Sequence, residues 1–355
     1  METWKERNYG VDLLRVLATL FITILHVMGH GGIIDAVEGK AQYNVVWLLE
    51  ILCFCAVDCY GVISGYVGYG RKHRPSRYLT LWLEVVFYCL LMTIVVYNWQ
   101  PSYVSHTRVV HSFFPVTFNA YWYFTAYTGV FLLMPYMNRV VESFTEKDAV
   151  KLFLGVFLLF SLYNTLAIKN SLSDPFRLAG GYTFMWLCAL YMVGAVIRKF
   201  DLCRIIPPLV RWGVFLLALL FTWLWKTQFY YGKDWDISGM FISYTSPTIF
   251  LMATALLLFF GNRRLPQVGK FIVKVVAPTT FGVYLLQDQN YVRTYFLSRR
   301  YEEIAAMSPG IIPLRVIGIA VSIYVVGIAV DWARIFLFRF LTVKKLRNWI
   351  DHLFD

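Results

Sequence analysis

The residues best able to do chemistry sit where a plain membrane anchor would have none. Within YGVDLLRVLATLFITILHVMGHGG, residues 9–32, an apolar run carries Asp12, Arg15, His26 and His30. Ionisable groups at membrane depth are costly, so they mark a bundle interior, a wet cavity or a reaction centre. Arg15 and His26 lie eleven positions apart, about three turns at 3.6 residues per turn, which puts both on one side of a helix. Thr19 and His30 extend that stripe. The expectation is a polar seam, with a fixed cation at one depth and a titratable imidazole about 16 Å further along. Such a pair suits a reaction between partners arriving from opposite faces. The same groups would also serve as a snorkelling arginine and a histidine bonded to a neighbouring helix.

Four other stretches carry polar chemistry. In DCYGVISGYVGYGRKHRPSRY, a turn at Ser64-Gly65-Tyr66 is expected to end an apolar run just before Arg71, Lys72, His73, Arg74 and Arg77. A positive-inside loop accounts for these charges, but guanidinium forks also match phosphate oxygens. Ser64, Arg71, Arg74 and Arg77 are therefore candidates to cradle a phosphorylated nucleotide such as coenzyme A. Glu84, about two turns into the next run, must be paired or protonated if buried. It is the expected partner of Arg15, or else a general acid or base.

Tyr121, Trp122 and Tyr123 open the run that Pro135 and Asn138 are expected to close. They read as interfacial anchors or as an aromatic wall for a sugar acceptor. Asp288 and Arg293, in the polar half of TTFGVYLLQDQNYVRTYF, are five apart and poorly aligned as a helical pair. They either line the cavity or mark the outer end of their span. No metal is expected: Cys53, Cys55, Cys59, Cys89, Cys188 and Cys203 lie in or beside apolar runs, where thiols act as small hydrophobes. The CFCAVDC cluster lacks a four-ligand set.

The elements that must hold these groups are membrane helices. Of 355 residues, 59% are hydrophobic and 15% charged, against about 25% charged in a soluble domain. The 24 tyrosines and 12 tryptophans fit interfacial belts. The expected class is all-α: a polytopic integral membrane protein of about ten transmembrane helices, near 9–30, 45–68, 78–98, 120–138, 150–168, 181–198, 209–226, 244–261, 275–296 and 311–334. With the N-terminus inside, 22 of the 33 lysines and arginines fall on inner segments and eight on outer ones. That asymmetry predicts that both termini are cytoplasmic and accounts for the net charge of +12 without a nucleic-acid partner. Residues 1–334 are expected to form one membrane domain, with 335–355 a basic amphipathic tail on the inner leaflet. The first run is too long, and too charged within, for a cleavable signal. The outer loops are too short to fold alone, and no internal repeat of the kind found in many transporters is evident.

Five segments, in order, resemble the acyltransferase-3 membrane family. These are Asp12-x-x-Arg15 followed after ten residues by His26, ISGY at 63–66 with its trailing arginines, YWYF with Pro135 and Asn138, LYMVGAVIRK at 190–199, and FGVYLL at 281–286. The resemblance implies an integral membrane acyltransferase, most often a bacterial enzyme that O-acetylates cell-surface polysaccharide from cytoplasmic acyl-coenzyme A. It implies that Arg15 and His26 are the essential pair and that the Arg-x-x-Arg residues bind the donor. Two departures accompany it. Gln287 stands where many relatives have a histidine, and the soluble hydrolase-like domain of some relatives has no counterpart before residue 355.

The expected activity is acetyl transfer from acetyl-CoA to a hydroxyl of a carbohydrate acceptor, lipid-linked or not. His26 would be the base, or the carrier of an acetyl group, Arg15 the group that holds the donor or stabilises the developing oxyanion, and Asp12 the residue that orients Arg15. The expected site is a bacterial plasma membrane, with membrane lipids as neighbours and assembly of several copies left open. Two rivals use the same residues. A secondary transporter or flippase would bind substrate or relay protons with the Arg/His seam. A glycan polymerase or ligase is also polytopic, but would be expected to carry a large outer loop.

Overall fold

The computed structural model describes residues 7–169 and 174–354. It is helical throughout, with no strand among the described residues. The principal helices are α1 (Tyr9–Met28), α2 (Tyr43–Phe54), α3 (Ala56–Gly68), α4 (Pro75–Trp99), α5 (Trp122–Ser143), α6 (Glu146–Lys169), α7 (Phe184–Lys199), α8 (Pro208–Tyr231), α9 (Pro247–Gly261), α10 (Gln267–Asp288), α11 (Ile312–Phe340) and α12 (Val343–Phe354). Local chemistry sets several starts. The Asn8 side chain accepts from the Gly10 and Val11 amides ahead of α1, Pro75 opens α4 where its missing N–H costs nothing, and Thr145 and Asp148 form a reciprocal capping box on α6.

Seven stretches are long and apolar enough to cross a membrane: α1, the α2–α3 pair, α4, α6, α8, α10 and α11. The other three expected spans correspond to α5, α7 and α9. Of these, α7 and α9 have only 16 and 15 residues, short of the roughly 20 that a full crossing needs. They lie mostly buried among other helices, α9 almost completely, and so need not match the bilayer by themselves. At the centre stands α1, packed against α2, α3, α9, α10 and α11.

Four sequence expectations change here. The second span is two helices that meet at Cys55. The Ser64-Gly65-Tyr66 segment is no turn but the last part of α3. Small residues there serve packing: a Cβ on Gly65 would lie 1.8 Å from the Tyr191 carbonyl oxygen of α7, and one on Gly194 1.9 Å from that of Val62. The two backbones touch directly. Pro135 does not end α5, which runs on to Ser143, and Asn138 bridges helices by donating to the Gly68 carbonyl and accepting from the Tyr191 hydroxyl. Finally, the ninth span is interrupted after Asp288 by an extended Gln289, and the chain resumes in a widened π-helical turn over Val292–Leu297.

The close α3–α7 seam yields a first prediction. Gly65→Ala or Gly194→Ala forces these helices apart and should destabilise the protein by at least about 1–3 kcal/mol, the usual cost of overpacking. Thermal unfolding in detergent would show it as a lowered midpoint; an unchanged midpoint would mean that the helices are not in contact there.

Candidate active site

Asp12, Arg15 and His26 are all carried by α1, but they serve two different cavities. At the N-terminal end, Asp12 accepts from Arg7 Nε at 2.6 Å and from Arg15 Nη1 at 2.9 Å. The carboxylate thus fixes the guanidinium, as expected of an orienting group. Arg15 lines two adjoining vestibules of about 400 and 320 Å³, the first shared with Arg7, Arg71 and Arg198 and the second with Ser64, Arg71, Arg77 and Arg347. Cations dominate both. Two of these arginines were not expected from the sequence: Arg198 comes from the C-terminal end of α7 and Arg347 from α12, which packs on α4.

Arg74 departs from expectation. Its guanidinium lies 3.9 Å from Asp351 of α12 and lines neither vestibule, because α4 begins at Pro75 and turns Arg77, not Arg74, inward. Ser64 does line a vestibule, although its hydroxyl is already bonded to the Tyr60 carbonyl at 2.8 Å.

At the other end of α1, His26 lines a chamber of about 260 Å³ together with His30, Trp122, Tyr123, Asp288 and Arg293. Nε2 of His26 is 3.8 Å from Asp288 Oδ1, and Arg293 reaches the same oxygen at 3.3 Å. The helix break at Gln289 makes this possible, since it folds Arg293 back over a residue that an unbroken helix would have carried past it. At 3.8 Å the imidazole and carboxylate are not yet hydrogen-bonded, but a protonated ring would be drawn to that oxygen. His30, just beyond the end of α1, has its pKa pushed down to about 4 by partial burial, with His26 and Arg293 acting in the same direction and Asp288 opposing.

Ligand atoms of His26, His30 and Asp288 lie within 4.8 Å of one another, a spacing that a metal could bridge. The Arg293 guanidinium, however, already claims the Asp288 oxygen that faces His26, so a cation entering there would meet a fixed like charge.

The seam between Arg15 and His26 is not continuous. Thr19 turns its hydroxyl back to the Arg15 carbonyl at 3.0 Å and makes a short hydrogen bond with the Tyr60 hydroxyl. Tyr60 packs edge-on against Tyr123, which stacks in turn on Tyr127. Tyr60 and Tyr123 line the chamber and Tyr127 the vestibule, so this tyrosine layer separates the two halves.

Two more expectations need correction. Glu84 does not meet Arg15. It forms an ion pair with Arg334 at 3.2 Å, and Arg334 also holds Asp331 through bonds of 2.6 and 2.9 Å. All three are buried, in a structural cluster away from both cavities. Tyr121 donates to the Leu285 carbonyl at 2.9 Å and faces a separate pocket shared with Arg108 and His111, not the chamber. A larger cavity of about 620 Å³, lined by residues such as Phe153, Val193, Val214 and Leu258, has almost wholly hydrocarbon walls. Its one arginine, Arg211, is held by the Ile206 carbonyl, and its one carboxyl, Glu146, stands at the start of α6.

A helical membrane bundle, with an arginine-lined vestibule and a histidine chamber on the two ends of one helix, defines a class of intramembrane catalysts more readily than a simple channel. A family described as an acyltransferase domain matches residues 8–332. The chain belongs to this acyltransferase-3 family, and is accordingly an integral membrane acyltransferase. No curated protein and no solved structure matches it.

Proposed function

We propose that this enzyme moves an acetyl group from acetyl-CoA to a carbohydrate hydroxyl at the outer face of a bacterial plasma membrane, with both termini in the cytoplasm. The observation that carries this reading is the division of labour along α1. Phosphate-matching cations gather at one end, where Arg15, Arg71, Arg77 and Arg347 share a vestibule. A histidine backed by a carboxylate sits at the other. The ends are about 16 Å apart along the helix, a gap for the slender thioester arm of the donor and not for its nucleotide.

In the transfer, the His26 imidazole takes the proton of the acceptor hydroxyl as the oxygen attacks the thioester carbonyl. A C–O bond forms, the C–S bond breaks, and the imidazolium returns its proton to the leaving thiolate. Asp288 steadies the charged ring in between. Arg15, held by Asp12, grips the donor, and Arg293 supplies positive charge on the chamber side where the oxyanion develops. For the arm to arrive, the Tyr60–Thr19 contact must open. An acetylated His26 is the second route open to the same residues.

The test is protein-dependent release of coenzyme A from its acetyl form in membranes or lipid nanodiscs. Arg77→Glu should raise the KM for acetyl-CoA about tenfold or more, since it removes one charge-assisted contact and adds a repulsive one. Transport of an acceptor without consumption of acetyl-CoA would overturn the proposal, as would an Arg77→Glu variant with an unchanged KM for the donor.

A further inference from the structure

The chamber holds a second carboxyl that the transfer above does not use. Glu50, on α2, lines the same cavity as His26. It is only 9% exposed, its Oε2 has no hydrogen-bond partner, and among the described residues no cation pairs with it. Some neighbouring polar groups are satisfied within the fold, while the Trp47 indole N–H and Asp58 Oδ2 also lack a partner. The Trp223 indole donates to the Asn44 carbonyl, and Asp58 accepts from Trp186. A buried carboxyl left without a donor carries a full desolvation penalty, so this one is set for a donor that arrives with a ligand.

Beside it stands an aromatic wall. Trp122 lies 4.5 Å from Tyr182, Tyr182 5.1 Å from Tyr244, and Tyr244 4.9 Å from Phe54, ring centre to ring centre. All four rings line the chamber. A ligand that offers a hydrophobic C–H face to rings and a hydroxyl edge to a carboxyl is a sugar ring. At about 260 Å³ the space falls below the roughly 300–1,000 Å³ of drug-sized pockets, room for a single ring and not for an oligosaccharide. Its titratable groups also set the charge that it tolerates. Two carboxyls, Glu50 and Asp288, face one cation, Arg293, which is already engaged with Asp288. Glu50, buried and unpaired, is held protonated, so an acidic sugar would bring its carboxylate into a buried site whose one cation is already engaged and that offers it no counter-charge.

We infer that Glu50, with Trp122, Tyr182 and Tyr244, forms the acceptor subsite and selects a neutral, hydroxyl-bearing sugar ring, Glu50 accepting a hydrogen bond from a hydroxyl other than the one acylated. This deepens the proposed activity and rests on it for the identity of the reacting hydroxyl, but binding can be read separately from transfer.

The full chain in nanodiscs is titrated with a panel of methyl pyranosides and the matching methyl uronates, binding being followed by tryptophan fluorescence with Trp122→Phe as control. Coenzyme A release is measured in parallel. Neutral glycosides should bind and be acylated, and uronates should do both at least tenfold less well. Glu50→Leu keeps the volume but removes the hydrogen-bonding edge, and should raise the glycoside Kd and KM about tenfold, as expected when a buried hydrogen bond is lost and its partner left unsatisfied, with the KM for acetyl-CoA retained. Equal use of uronates, or an acceptor KM unmoved in Glu50→Leu, overturns the subsite while leaving acyl transfer intact. Glycoside binding that depends on Glu50 without any coenzyme A release overturns the acyl transfer and leaves the subsite. No binding and no acylation of any glycoside overturns the subsite outright.

Discussion

His26→Gln should lower acyl transfer by about two to four orders of magnitude, the range associated with losing a positioned general base, while the protein remains inserted and folded. Glutamine approximates the reach and hydrogen-bonding edge of the imidazole but cannot accept and return a proton at neutral pH. The chamber gives structural reasons to expect a clean loss. His26 is partly open to the cavity, at 18% side-chain exposure, and its Nδ1 holds no neighbour in place, so the substitution removes chemistry and not a packing anchor. Asp288→Asn is the informative companion. It leaves the base but removes the charge 3.8 Å from it and frees Arg293, so activity should fall less than in His26→Gln and the pH profile should shift. Normal transfer by His26→Gln, at normal expression, would remove the base from the mechanism.

Much of this site could be read from residue type and period alone. An arginine and a histidine eleven apart in an apolar run had to share a helix side, and they do. Their acidic neighbour Asp12 was read as the residue that orients Arg15, and its carboxylate accepts from the Arg15 guanidinium at 2.9 Å. What periodicity could not supply was anything set by contacts between helices. It could not show that Thr19 folds back onto its own helix and meets Tyr60, which divides one expected seam into two cavities. Nor could it show that Gln289 breaks α10 and so brings Arg293 to Asp288 across a spacing that suits no regular helix. Arg198 and Arg347 read as ordinary inner-face charges until folding delivers them to the vestibules beside Arg15. Glu50 is different. One of two acids inside the apolar run 45–68, with Asp58, it satisfies the same criterion that singled out Asp12, Arg15 and His26, although the sequence reading passed over it.

Glu84 shows how such a criterion can locate a buried charge and still misassign its partner, and it leads to the largest expected effect on stability. Arg334→Met should destabilise the bundle by about 3–5 kcal/mol, the cost of removing one member of a buried ionic group. The guanidinium lies between two carboxylates, 3.2 Å from Glu84 Oε1 and within 2.6 and 2.9 Å of the two Asp331 oxygens. Asp331 also accepts from the Tyr88 hydroxyl at 2.9 Å and presses so closely on α10 that a Cβ at Gly282 would lie 2.0 Å from its oxygen. Neither carboxylate can therefore swing out to water when Arg334 is lost. Thermal unfolding in detergent should show a large drop for Arg334→Met and a smaller one for Glu84→Gln, which leaves the Arg334–Asp331 pair in place. The triple change Glu84→Gln, Asp331→Asn, Arg334→Met should recover much of the loss, because it is the uncompensated charge that destabilises, not the absence of the ion pair. The assignment to structure also requires that Glu84→Gln leave the KM for acetyl-CoA unchanged, whereas a Glu84 paired with Arg15 would shift it. An Arg334→Met protein as stable as the parent would mean that α4, α10 and α11 do not meet at this cluster.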